Sequence, residues 1–180
     1  KDRDVVKDYG DYLLNCVNIY NFDTDFSILN IAIDTSNGAA SKVSEYIYSK
    51  LGCNYHIINN KPNGTNINDN CGSMHPEVLK DYIIKNKLDG GVCYDGDADR
   101  SIFIDELGNI IDGDYVLSII GLDLKKKNKL NNNTIVGTVM NNLGFINFCK
   151  ANDINFIATK VGDRYVLEEL NLGNFSLGGE

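Results

Sequence analysis

GGVCYDGDADRSIFID, residues 90–105, is the stretch on which the fold turns. Its two arms, GGVCY and SIFID, are short apolar runs with β-branched and aromatic residues, a pattern that predicts strands. Between them stand Asp95, Asp97 and Asp99 at alternate positions, with Arg100 directly after. In an extended or gently curved segment, residues i, i+2 and i+4 project to one side, so three carboxylates converge there. Like charges so placed repel, and a divalent cation removes that cost. An all-oxygen donor set suits Mg²⁺ or Ca²⁺ rather than zinc or copper.

Three other readings compete. A plain turn, with aspartates capping nearby backbone groups, is the simplest. A calcium loop of the EF-hand type places Asp95, Asp97 and Asp99 at its first, third and fifth positions and Glu106 at its twelfth. It fails at the sixth, where a sharp turn needs glycine and Arg100 stands, and it requires helices where the arms read as strands. A phosphatase-type aspartate nucleophile wants Thr or Val where this chain has Asp99. Arg100 favours phosphate: beside a bound dication, its fork adds a bidentate donor to a point charge. The loop reads as a phosphate-handling Mg²⁺ site at the end of a strand, where ligands gather in open α/β sheets. A metal-binding module without catalysis, sensing Ca²⁺ or holding Mg²⁺, is the alternative.

Working outward, strands and helices alternate. Upstream, residues 2–20 carry Val5, Val6, Tyr9, Tyr12, Leu13, Cys16 and Val17 at helical spacing, with Gly10 as a weak point. LNIAID (29–34) reads as a buried strand, followed by Asn37 and Gly38 as turn residues and a helix over 39–50 closed by Gly52. NYHII (54–58) is a second strand, with His56 as a packing residue. The Asn-rich stretch 60–73 is a loop, and Pro76 and Glu77 open a helix.

Downstream, ELGN (106–109) turns one short strand into another. A helix at 114–124 runs into a solvated lysine-rich connection. TIVGTVM (134–140) and INFIATK (154–160) read as strands, and 143–152 and 163–170 as helices, the last ending at Gly173. The expected fold is α/β: two consecutive lobes, 1–109 and 110–180, each a mainly parallel (mixed) sheet flanked by helices, the second truncated.

The whole chain bounds the function. Its 180 residues suit one ordinary domain or two small ones, and 43% hydrophobic content suits a packed globule. A formal net charge of -8 argues against nucleic acid as a partner. No apolar run approaches the ~20 residues of a membrane span. Cys16, Cys53, Cys71, Cys93 and Cys149 lie far apart without a CxxC pair, which predicts reduced thiols in a cytoplasmic protein rather than a disulfide framework. The opening KDRD and closing LGGE read as ends cut from something longer.

DGDADR resembles the metal loop of the α-D-phosphohexomutases. PNGTNINDNCGSMHPE (62–77), VGTVMNNLG (136–144), KVGDRYVLEEL (160–170) and the terminal LGGE are similar to the phosphoglucosamine mutase branch of that family. The resemblance implies a four-domain cytoplasmic enzyme that interconverts glucosamine 6-phosphate and glucosamine 1-phosphate for cell-wall precursors. It does so through a phosphoserine and a bisphosphorylated sugar with Mg²⁺; phosphomannomutase or phosphoglucomutase activity is the alternative. On this basis the chain covers the second domain and most of the third.

The same resemblance makes Asp95, Asp97 and Asp99 the metal ligands and Arg100 a catalytic group. It makes Glu180 a sugar-hydroxyl contact, and Lys160, Asp163 and Arg164 candidate substrate contacts. Asp163 as a helix cap beside a solvated Arg164 is the structural alternative. The nucleophilic serine belongs to a TASHNP-like loop that these residues lack. Ser73 or His75 reads as a helix cap ahead of Pro76, and Cys93 as packing. The fragment alone is expected to be inactive and monomeric, with any dimer of the complete enzyme built on the first domain.

Overall fold

The structure is a computed structural model that describes residues 4–19 and 25–180. The chain divides into two compact units, Lys1–Ile110 and Ile111–Glu180. The α/β architecture with a mixed sheet, as expected, places the aspartate loop between two strands.

In the first unit the helix at the start is α1 (Val5–Ile19); Asp2, Arg3 and Tyr20 of the predicted stretch lie outside the described residues. Gly10 is not a defect in it. A Cβ there would meet the Tyr46 ring of α2 (Ala40–Leu51), so glycine lets the two helices approach, and the Tyr46 phenol donates to Asp11 at 2.7 Å. Gly52, left-handed at φ 81°, closes α2 as predicted.

The five-stranded sheet runs β2-β1-β3-β4-β5. Its strands are β1 (Asn30–Asp34), β2 (Asn54–Ile58), β3 (Gly90–Tyr94), β4 (Ser101–Asp105) and β5 (Ile110–Ile111). β1 pairs in parallel with both β2 and β3, whereas β3 and β4 are antiparallel, with Tyr94 opposite Ser101. The core joins Ala32, Cys93 and Ile104 of the sheet to Leu79 and Ile83 of α3 (Pro76–Asn86), all 3% exposed or less. Removing such side chains from water is the main force holding the unit together. Cys93 packs here as expected, and burial pushes its thiol up to about 12. His56 packs edge-on against Tyr82.

Pro76 opens α3 at its first position, and His75 occupies the cap position. His75 caps no backbone group, however: its Nδ1 pairs with Glu77 Oε1 at 3.0 Å, and Ser73 lies in a short 3-10 turn before it. The capping role expected of these two side chains is not taken up.

The second unit pairs β6 (Thr134–Thr138) and β7 (Asn155–Thr159) in parallel, with α4 (Gly113–Lys126), α5 (Leu143–Ala151) and α6 (Asp163–Gly173). Val136 also bridges Gly178 in parallel, so the terminal segment lies along β6. Leu117, Ile135, Phe145, Cys149 and Ile154 form the core, where Phe145 and Phe156 meet edge-to-face at 5.3 Å. α4 extends two residues into the lysine run: Lys125 donates to the backbone of Asn152 and Asp153, and lysines favour a helix C-terminus. No described helix is long and apolar enough to cross a membrane.

Candidate metal centre

Because β3 pairs in parallel with β1, both strands deliver their following loops to the same end of the sheet. The loop after β3 is not extended, as the alternate spacing suggests. It curls: Ala98 N donates to Asp95 O at 3.1 Å, Asp95 N to Arg100 O at 3.3 Å, and Ala98 takes a left-handed φ of 62°. The carboxylates therefore converge by a tight turn rather than by strand alternation. One oxygen from each of Asp95, Asp97 and Asp99 lies within 4.8 Å of the others. Asp95 is 1% exposed, while Asp97 and Asp99 face solvent.

Arg100 is turned onto the loop itself. Its Nε donates to Asp95 Oδ2 at 2.7 Å and lies 3.6 Å from Asp99 Oδ1, and its backbone N–H reaches Asp95 Oδ1 at 3.2 Å. The Arg100 side chain is nonetheless 70% exposed. Burial would raise the Asp95 carboxyl, but the Arg100 backbone and side-chain bonds outweigh it and hold the group below the usual carboxylate range. Asp99 goes the other way: desolvation, then repulsion from Asp97 and Asp95, push it up. The repulsive part of that push comes from three carboxylates sharing one arginine. A hard dication fits such a set, with one buried carboxylate as an anchor and two open to solvent.

The second unit carries the other predicted site residues. Glu180 Oε2 accepts from Gly162 N at 3.1 Å, so LGGE and the KVGDR loop meet. Lys160 Nζ stands 5.6 Å above the Tyr165 ring. Arg164 Nε pairs with Glu168 at 2.8 Å and is 81% exposed. Gly162, not Asp163, holds the cap position of α6; Asp163 is the first helical residue, and its carboxylate accepts from Arg164 N at 2.6 Å.

Sequence reasoning passed over Asp34 and Ser36, wholly buried polar residues at and just after the end of β1, the second of which donates to Tyr94 O just before the aspartate loop. Their one signal was a charged residue ending an otherwise apolar strand, followed by the turn TSNG.

The sequence and the fold both match known proteins. Residues 7–108 match the family model for phosphoglucomutase/phosphomannomutase, alpha/beta/alpha domain II, and residues 112–180 match that for domain III. The chain belongs to the phosphoglucomutase/phosphomannomutase family. It is 47% identical over 174 residues to a phosphoglucosamine mutase of Caldicellulosiruptor saccharolyticus, covering 97% of this chain and 38% of the relative. It is also 47% identical over 180 residues to one of Clostridium botulinum, covering 100% and 39%. The chain thus spans about two fifths of the length of these curated relatives.

Among solved structures, a phosphoglucomutase/phosphomannomutase family protein from Burkholderia thailandensis matches the fold with a TM-score of 0.78 at 23% identity, over 100% of this chain and 38% of that one. An N-acetylglucosamine-phosphate mutase of the α-D-phosphohexomutase superfamily matches with a TM-score of 0.72 at 20% identity, over 98% and 41%.

Proposed function

We propose that these residues are the metal-binding and sugar-contacting part of a phosphoglucosamine mutase, which moves a phosphoryl group between the 6- and 1-positions of glucosamine. The observation that carries the reading is the meeting of Asp95, Asp97 and Asp99 within 4.8 Å at a strand end. The 47% identity to proteins named phosphoglucosamine mutase supports the choice of sugar.

Asp95, Asp97 and Asp99 would hold Mg²⁺, which supplies positive charge to a phosphoryl group in transfer. Arg100 keeps the buried Asp95 ionised and oriented, and its exposed guanidinium stands ready to receive phosphate oxygens. Glu180, fixed by Gly162 N, is a carboxylate acceptor for sugar hydroxyls. Lys160 and Arg164 offer cations to an anionic sugar phosphate, with Asp163 beside them. The phosphoserine nucleophile is supplied from outside these 180 residues, so the isolated chain is inactive.

Turnover of glucosamine 6-phosphate by the complete enzyme tests this directly. Activity on mannose or glucose phosphates in preference to glucosamine phosphate would move the chain to another branch of the family. Turnover by the 180-residue chain alone would show that the nucleophile lies within it.

A further inference from the structure

We propose that the end of β1 and the loop after it, residues 34–39, are a template that fixes the backbone of the aspartate loop, with Ser36 and Gly38 as positioning residues for metal binding. The proposal rests on the reading of Asp95, Asp97 and Asp99 as Mg²⁺ ligands.

Two carbonyls straddle Asp95, and the template holds both. Ser36 Oγ donates to Tyr94 O, and Ala39 N donates to Gly96 O at 2.8 Å. These bonds use backbone atoms of the aspartate loop and leave its carboxylates available. Ser36 is wholly buried and sits at φ 54°, a conformation that costs energy for any residue but glycine. It stays there because Asp34 Oδ1 accepts from Ser36 N at 2.9 Å and Ser36 O accepts from Asn68 N at 3.0 Å. Asp34, also wholly buried, accepts in addition from Asn59 Nδ2 at 2.9 Å and Gly72 N at 3.0 Å. The buried Asp34 side chain thereby sets the serine, and the serine sets Tyr94.

Close packing completes the clamp. A Cβ on Gly38 would fall on the Gly96 carbonyl, and a Cβ on Gly96 would meet Ile67 at 2.7 Å and the Asn68 amide at 2.8 Å. Gly96 is therefore enclosed by the template on one side and the Asn-rich loop on the other. Backbone held in this way presents Asp95 in one place, which is what a cation with strict ligand geometry demands.

The test is Mn²⁺ binding to the 180-residue chain, by titration and by electron paramagnetic resonance, on wild type, Asp97→Ala, Ser36→Gly and Gly38→Ala. Ser36→Gly removes the hydroxyl while relieving the left-handed backbone, so the fold survives; far-ultraviolet circular dichroism and the thermal midpoint verify that. Supporting groups around metal ligands typically contribute about tenfold or more to affinity. Ser36→Gly and Gly38→Ala should each weaken Mn²⁺ binding about tenfold and broaden the resonance, with a near-native thermal midpoint for Ser36→Gly. If wild type binds, Asp97→Ala does not, and both template variants bind with wild-type affinity and line shape, the template is overturned and the metal site stands. If wild type and Asp97→Ala are equally weak, the metal site falls and the template with it.

Discussion

The loop after β3 is fastened through its backbone on both sides of Asp95, by Ser36 and Ala39, whereas the loop after β7 meets Glu180 through the amide of Gly162. The first has a wholly buried carboxylate beneath it, at Asp34; in the second, the charged side chain of Arg164 stands in solvent. The contrast matches the two tasks proposed. A dication with several protein ligands requires placement to about half an ångström before it arrives. A sugar hydroxyl or phosphate oxygen can be met by long side chains that settle when the substrate binds.

The contrast breaks most visibly if ligand removal is harmless. Asp97→Ala should lower metal affinity and turnover of the complete enzyme by about a hundredfold. Its thermal midpoint should hold or rise, because an exposed like charge is lost. Calorimetric Mg²⁺ titration reads the first effect and a melting curve the second.

Asp34→Asn comes next. It keeps the shape but faces an amide toward three N–H donors, and should destabilise the chain by about 2–3 kcal/mol in urea unfolding. A loss below about 0.5 kcal/mol would mean that the buried carboxylate does not anchor the loop.

Acidification sharpens the comparison further. The folded-state pKa of Asp99 is raised, so its ionised form is disfavoured in the metal-free fold, and metal affinity should begin to fall while the pH is still above 3.8. Without metal the sign reverses: protonating Asp99 relieves repulsion, so its stabilising contribution is fully present below pH 3.8 and lost as pH rises through the raised pKa. Mn²⁺ titrations at stepped pH read the first arm.

In the second unit, Glu180→Ala should raise KM of the complete enzyme about tenfold and leave Mn²⁺ affinity unchanged. The smallest effect belongs to Arg164→Ala. Losing its exposed pair with Glu168 should cost ~0.3 kcal/mol, and an unchanged KM would reduce Arg164 to a helix-surface residue.

The sequence was most readable where period and composition agree. GGVCY and SIFID are strands, so the calcium-loop geometry, which needs helices, has no place here. The three aspartates were legible as a cluster, because few other reasons place like charges at alternate positions. The shape of their loop was not. Curling depends on Ala98 taking a left-handed backbone, which nothing in an alanine announces.

The template was hidden for a related reason. Ser36 lies in a stretch that composition marks only as a turn, and the groups that hold it and Asp34, from Asn59, Asn68 and Gly72, arrive from far along the chain. Two expected caps differ for separate reasons: the His75 side chain pairs with Glu77 two residues on, and α6 begins at Asp163 itself, so Gly162 holds its cap position.

The antiparallel pairing of β3 with β4 has its own consequence. Tyr94 faces Ser101, so six residues span the gap, and both ends are stitched into the same ladder. An inserted residue that slipped the register of β4 by one would turn Ile104 out to water and force the exposed Phe103 inward. The ends of the acidic loop are thus held by the oily face of β4, and a lengthening that disturbed that pairing would be felt as misfolding as well as lost chemistry.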